Sequence, residues 1–356
     1  MNLSKDINHF RRRIMRWLTK SVGSSNKKMH FDITPEAVTR VLISRPNSRL
    51  GNMLLLSPLL QEVSKVFPNA KIDLFVRGGW VPVVYKNYEM IEQDIQLPKK
   101  PFKALLKYIW VWISLRRHYY DLVVNVDKHS SSGRLSVKFS RAKYKFFGDE
   151  IDDAQLDQSC HMAKSPVYAF RKYMERSFFN IPNDEVSPLD LKLDADELAT
   201  GKKLVESISG NATSTIAIYT FATGSKCYSE SWWADFYSKL KTNFPNHAIV
   251  EVLPFENVSQ IQFQAPHYYS RDIREVGAFI ANTEVFITAD CGIMHVASAT
   301  DTPTVGLFSV TSVDKYEPYN QGSMAFDTNT ISTDVIIDSI KNLMEVDTVE
   351  VFRKVG

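Results

Sequence analysis

From residue 38 onward, short runs of β-branched and apolar residues alternate with longer stretches of helical periodicity. Strands that read as near-continuous apolar runs are covered on both faces, and the intervening helices supply that cover. The alternation therefore specifies parallel α/β sheets rather than a bundle or a sandwich. It occurs twice. In the first half, segments 38–44, 72–76, 122–126 and 144–147 read as strands, with helices near 51–66, 101–118 and 161–179. In the second, 215–221, 248–254, 285–289 and 304–308 are strands, separated by helices near 229–243, 271–283 and 292–300. At 356 residues the chain exceeds what one hydrophobic core usually supports, and the polar, twice proline-interrupted stretch Asn180-Ile181-Pro182-Asn183-Asp184-Glu185-Val186-Ser187-Pro188 has the composition of a linker. We expect two domains, 31–190 and 191–330, followed by a helix over 331–356 with Ile336, Ile337, Ile340, Leu343 and Met344 on one face.

Charge separates the N-terminus from the rest. Residues 1–28 hold eight cations against Asp6, a net +7, so the remaining chain carries −4 of the overall +3. Ile7, Phe10, Ile14, Trp17, Leu18 and Val22 recur mostly at steps of three or four, which predicts a basic amphipathic helix within residues 1–30. Such a helix suits an anionic membrane surface, and a solvated basic arm is the alternative. Nucleic-acid binding fits poorly with a mildly acidic body. A second stretch, Lys99 to Trp112 continuing to Arg116-Arg117-His118, is dense in both aromatics and cations. It reads either as a helix packing one face on the core or as another membrane-facing surface. No stretch reaches the ~20 apolar residues of a spanning helix, and three widely spaced cysteines suggest neither a disulfide framework nor a metal site, so we expect a cytoplasmic protein on the inner face of the membrane.

Ligands of open α/β sheets bind beyond the carboxyl ends of strands, where helix N-termini offer free N–H groups. Two turns fit that rule well, those after 285–289 and 41–44, and a third has suitable residue types. Segment 285–289 runs into Asp290-Cys291-Gly292 and a helix carrying Ile293 and His295; the N–H groups of Cys291, Gly292 and Ile293 can receive a phosphate, with Asp290 turned toward a sugar. Alternatively Asp290 caps the helix and His295 is a satisfied core residue. After 215–221 comes Ala222-Thr223-Gly224-Ser225-Lys226, with the hydroxyls, glycine and cation a diphosphate needs, although a loop lysine is commonly just solvated. Trp232 and Trp233 beyond it read as core. After 41–44, Arg45-Pro46-Asn47-Ser48-Arg49-Leu50-Gly51-Asn52 opens a helix, either as a ligand loop or as an ordinary βα turn. There is no Gly-x-Gly-x-x-Gly or Walker motif, which disfavours a dinucleotide-dependent enzyme.

The order of these signals, with Phe67-Pro68-Asn69-Ala70-Lys71-Ile72-Asp73 before the second strand and 297–308 after the Asp290 segment, resembles glycosyltransferase family 9, the ADP-heptose:lipopolysaccharide heptosyltransferases. The resemblance runs from about Val41 to Tyr319. It implies a GT-B fold of two Rossmann-like domains facing a central cleft, with the acceptor on the N-terminal domain, beside Arg49 and Gly51, and the nucleotide sugar on the C-terminal one. It also implies inverting transfer to a lipid-linked saccharide, without a metal or any cofactor beyond the donor, an ADP-sugar being favoured.

Residue by residue, Cys291 and Gly292 match the family's phosphate-contacting Thr-Gly pair, Lys226 its phosphate lysine beside Thr223, Asp290 its sugar-side aspartate, and His295 the histidine of the same helix; Glu256 is the ribose candidate. One position departs. Where the family commonly has Gly-Asp, with the Asp proposed as general base, this chain has Gly51-Asn52, and an amide cannot take a proton near pH 7. Asp290, Asp127 and Asp149 are the substitute carboxylates at strand ends. A catalytically silent GT-B protein that binds a nucleotide sugar or glycan is the alternative reading.

Overall fold

The computed structural model describes residues 34–99, 104–149, 160–175, 184–210 and 214–355, with residues 22, 23, 25, 181 and 212. The basic N-terminal stretch lies largely outside these. The chain divides into two units, one comprising 1–49 and 58–187, the other 50–57 and 188–356.

In the first unit, β1 (Arg40–Arg45), β2 (Lys71–Arg77), β3 (Ile91–Leu97), β4 (Tyr119–Asn125) and β5 (Arg141–Phe146) form one parallel sheet in the order β3-β2-β1-β4-β5. Helices α2 (Ser57–Val66), α3 (Val81–Val84), α4 (Leu105–Ser114), α5 (Ser131–Phe139) and α6 (Lys164–Glu175) accompany it, α1 (Leu50–Leu54) grouping with the other unit. Central β1 is buried at every position but its first, as a strand covered on both faces must be.

The helix expected over 51–66 is interrupted between α1 and α2. Pro58 has no N–H to continue the ladder and disfavours helical geometry at Ser57, whose hydroxyl instead donates to the Leu54 carbonyl at 2.7 Å. The stretch expected as one helix over 101–118 is helical in α4, and strand geometry has begun by Tyr119.

The second unit holds α7 (Ala195–Ser209), β6 (Ser214–Tyr219), α8 (Glu230–Asn243), β7 (His247–Val252), β8 (His267–Tyr268), α9 (Ile273–Ile280), β9 (Val285–Ala289), α10 (Gly292–Ser298), β10 (Thr304–Phe308), α11 (Val313–Tyr316), β11 (Met324–Asp327) and α12 (Thr333–Val355). Its parallel sheet runs β11-β10-β9-β6-β7-β8. Numbered within the unit this is the doubly wound order 3-2-1-4-5-6, which reverses between β6 and β9.

Trp233 and Phe236 of α8 are fully buried among residues of β6, β7, β9 and β10, and Ile336, Ile337, Ile340 and Met344 bring α12 onto the same cluster. The tryptophans are therefore core, with Trp232 stacked between Tyr228 and Phe236 at 4.3 and 5.1 Å. Helices α7 and α9 approach so closely that a Cβ on Gly201 would lie 2.1 Å from the Ala278 carbonyl oxygen.

Candidate donor site

The two strands flanking the reversal point, β6 and β9, end in the two segments singled out by sequence. Beyond β6, Thr223 is exposed at the start of a tight turn, Gly224–Lys226, in which Gly224 has φ +69°, a left-handed conformation that favours glycine. Ser229 then accepts from the Trp232 N–H and starts α8. The turn delivers Lys226 to β9, its Nζ 2.5 Å from Asp290 Oδ2. Thr311, in the loop after β10, donates its hydroxyl to the same carboxylate oxygen.

Asp290 is therefore held by a cation and a hydroxyl, and it does not cap α10. Cys291 occupies the N-cap position. Burial pushes the Cys291 thiol up, partly opposed by the Thr288 hydroxyl 3.5 Å away.

His295 is buried, and among the described residues its Nδ1 has no hydrogen-bond partner, which sets aside the satisfied core histidine. Its ring lies against α1: a Cβ on Gly51 would stand 2.7 Å from His295 Cδ2, and one on Gly292 would stand 3.7 Å from the Gly51 nitrogen. Two glycines thus let α1 and α10 touch within one unit. Gly51 and the half-buried Asn52 belong to the second unit by packing, although β1 precedes them in sequence. Arg49, exposed, is the last residue of the other unit's first segment.

Tyr316 of α11 lies within 5.9 Å of Lys226 Nζ and 6.4 Å of the His295 ring. Thr311 and Tyr316 were missed from sequence. The signal available was only a hydroxyl-rich loop beyond the carboxyl end of β10.

Glu256 is exposed in the loop after β7. The Tyr219 phenol at the end of β6 is pushed up by burial first, then by Cys291 and by Glu256, so the Glu256 carboxylate acts on this end of the sheet. The Ile293 side chain is buried. In the first unit, Asp149 takes both the N–H and the hydroxyl of Ser25, and Asp127 accepts from the His129 N–H at 2.9 Å.

Burial pushes the His295 imidazole down to about 4, with Asp290 opposing and Lys226 reinforcing. The native state holds the ring neutral, whereas the unfolded chain takes a proton below about 6.5. The associated stability is fully present above that pH and is lost as pH falls toward 4, a difference on the order of 3 kcal/mol. Thermal melts from pH 7 to 4 should show His295→Gln losing stability less steeply than wild type; parallel curves would refute this.

Residues 270–335, which contain Arg274, Asp290, His295, Thr311 and Tyr316, match the family model of glycosyltransferase family 9 (heptosyltransferase). Over this stretch the chain is similar to glycosyltransferase family 9. Lipopolysaccharide heptosyltransferase 3 of Escherichia coli is 24% identical over 304 residues, 78% of this chain and 85% of that protein. The family's fold recurs in solved structures.

A family 9 glycosyltransferase from Veillonella parvula superposes with a TM-score of 0.68 at 14% identity, covering 90% of this chain and 99% of that one. The Escherichia coli ADP-heptose lipopolysaccharide heptosyltransferase II gives 0.64 at 16%, covering 87% and 100%. An Escherichia coli heptosyltransferase solved with ADP gives 0.63 at 15%, covering 86% and 100%. These likenesses identify the fold as GT-B, two Rossmann-like parallel-sheet domains. The chain is a glycosyltransferase.

Proposed function

We propose that this family 9 glycosyltransferase moves a heptose-type sugar from an ADP-sugar to a lipid-linked saccharide of the lipopolysaccharide core, at the inner face of the cytoplasmic membrane. The observation that carries the reading is the convergence of Lys226, Asp290 and Thr311 at the point where the second sheet reverses order. The names of the curated relative and of the solved relatives favour heptose, ADP and a lipopolysaccharide acceptor.

In an inverting transfer the acceptor oxygen attacks the anomeric carbon. The bond to the diphosphate breaks with its electron pair leaving on the diphosphate. Lys226 and the N–H groups of Cys291, Gly292 and Ile293 are the groups to receive that charge, the part a divalent cation would otherwise play. Asp290, anchored by Lys226 and Thr311, faces the sugar. Thr223 stands at the phosphate turn, and Glu256 is the ribose partner. His295, neutral and packed on Gly51, holds α1 against α10.

Asn52 follows Gly51 on that short helix and has no carboxylate to offer, so the acceptor proton passes to another carboxylate or to an anionic group on the acceptor itself. Purified protein should be stabilised by ADP or ADP-sugars, by about 2.7 kcal/mol at a hundredfold excess over Kd, read as a melting shift of roughly 5–10 °C. Stabilisation by none of the nucleoside diphosphates or their sugars would sink the donor-site reading. An Asn52→Asp enzyme should transfer faster if only a base is lacking; lost transfer with intact nucleotide binding would assign Asn52 to acceptor positioning instead. Nucleotide binding by wild type with no turnover of any donor would favour the catalytically silent alternative.

A further inference from the structure

Helix α4 is apolar on two sides. Tyr108, Val111, Trp112 and Leu115 pack on the first unit's core with Phe75 and Val123. The opposite strip, Leu105, Leu106, Ile109, Trp110 and Ile113, is 55, 85, 47, 53 and 61% exposed. These positions recur at intervals of four, so they form one continuous stripe along the helix rather than scattered exposures. Phe139, 47% exposed at the end of α5, lies beside the helix, its ring 5.8 Å from Trp112. A helix hydrophobic all round is normally buried, and an exposed apolar patch of this kind marks an interaction surface.

The charge around the stripe identifies the occupant. Lys107, Arg116 and Arg117, then Lys138, Arg141 and Lys143 on α5 and β5, are all exposed, and neither 104–120 nor 131–146 contains an acidic residue. The Arg117 guanidinium lies over the Trp110 ring, 4.6 Å from its centroid. An apolar strip bordered by cations is complementary to an anionic lipid surface, acyl chains taking the stripe and headgroups the cations. It is a poor surface for self-pairing, because a two-fold dimer would set the same cations against themselves. Ten helical residues span only ~15 Å, about half a bilayer core, so the helix can lie in the interface and cannot cross.

We infer that the outer face of α4, with its ring of lysines and arginines, is the element that docks this enzyme on an anionic membrane. The inference rests on the lipid-linked acceptor proposed above, and it names the surface and the lipid class.

The test is flotation of the full chain with vesicles of phosphatidylcholine alone or with ~30% phosphatidylglycerol added. Wild type should bind the anionic vesicles only, less at high salt. Leu106→Ser with Trp110→Ser should lower the partition by on the order of tenfold, because both side chains are already exposed and folding is spared. Arg116→Gln with Arg117→Gln should lower it roughly fivefold per cation. Unchanged melting temperatures would show that the variants fold.

Wild-type protein that ignores anionic vesicles would overturn the inference. So would a serine variant that binds as wild type does, which would put the binding elsewhere, including residues 1–30. A concentration-dependent dimer dissolved by the serine substitutions, without lipid binding, would assign the stripe to a second copy. Transfer to a delipidated saccharide should persist in the variants; vesicle binding without transfer to any acceptor would keep the docking surface and reject the proposed reaction.

Discussion

Replacing Lys226 by alanine is expected to lower kcat by about 10²–10³-fold. The departing diphosphate gains negative charge in the transition state, and a preorganised cation aimed at it is worth about 3–4 kcal/mol when water is kept out. The Lys226 ammonium is held 2.5 Å from a nearly buried carboxylate, and its own side chain is 32% exposed.

Lys226→Arg should recover only part of the rate, because a planar fork does not reproduce a compact ammonium at this turn. A smaller structural effect accompanies the change, since Asp290 loses its cation and keeps only the Thr311 hydroxyl, costing about 1–2 kcal/mol of stability after allowance for solvent at Lys226. Steady-state kinetics at saturating donor separates the two. A kcat near wild type with only KM raised would mean that Lys226 binds ground and transition states alike, and the assignment of charge neutralisation would fail.

Arg274→Ala should cost about 3–5 kcal/mol, the largest stability loss expected from a single side chain described here. Its side chain is 6% exposed. It grips Glu197 through two bonds of 2.7 and 2.6 Å, and donates to the carbonyls of Leu191 and Lys192 at 3.0 and 2.9 Å.

Glu197 is at the same time the third residue of α7 and returns a bond to the Asp194 N–H as half of a capping box. One arginine therefore ties α9, the start of α7 and the segment entering the second unit. Truncation leaves a carboxylate and two carbonyls short of donors. The melting transition of this unit should fall by roughly 6–20 °C. Glu197→Leu combined with Arg274→Met should recover much of the loss, because replacing both partners removes the uncompensated charge. An Arg274→Ala loss below about 1 kcal/mol would show that water or neighbouring groups compensate.

Much of this was legible before the fold was known. Val285–Ala289 and the interior of β1 read as buried parallel strands because their side chains are apolar on both faces. The Asp290-Cys291-Gly292 turn stood out because a polar-to-glycine step between such a strand and a helix is where open α/β sheets bind ligands. The short peripheral strands were not legible. β8 has two residues and edge strand β3 carries Glu92, Gln93 and Asp94, so neither has an apolar run to detect. Helices α5 and α7 also went unread.

The sequence by itself determined two parallel-sheet halves and the strand-to-helix segments proposed to receive a nucleotide sugar, because strand burial and strand-to-helix turns are written in local residue order. Only the tertiary structure decided which of those segments meet. Lys226 reaches Asp290 across 64 residues because β6 and β9 are neighbours at the reversal point, an adjacency no local pattern encodes. Gly51 stands against His295 because α1 leaves the unit of its own strand and packs on α10, where two glycines permit contact. The same dependence on three-dimensional neighbours explains α4. Its sequence is apolar on two sides, and only the packing of one of them on the core leaves the other exposed.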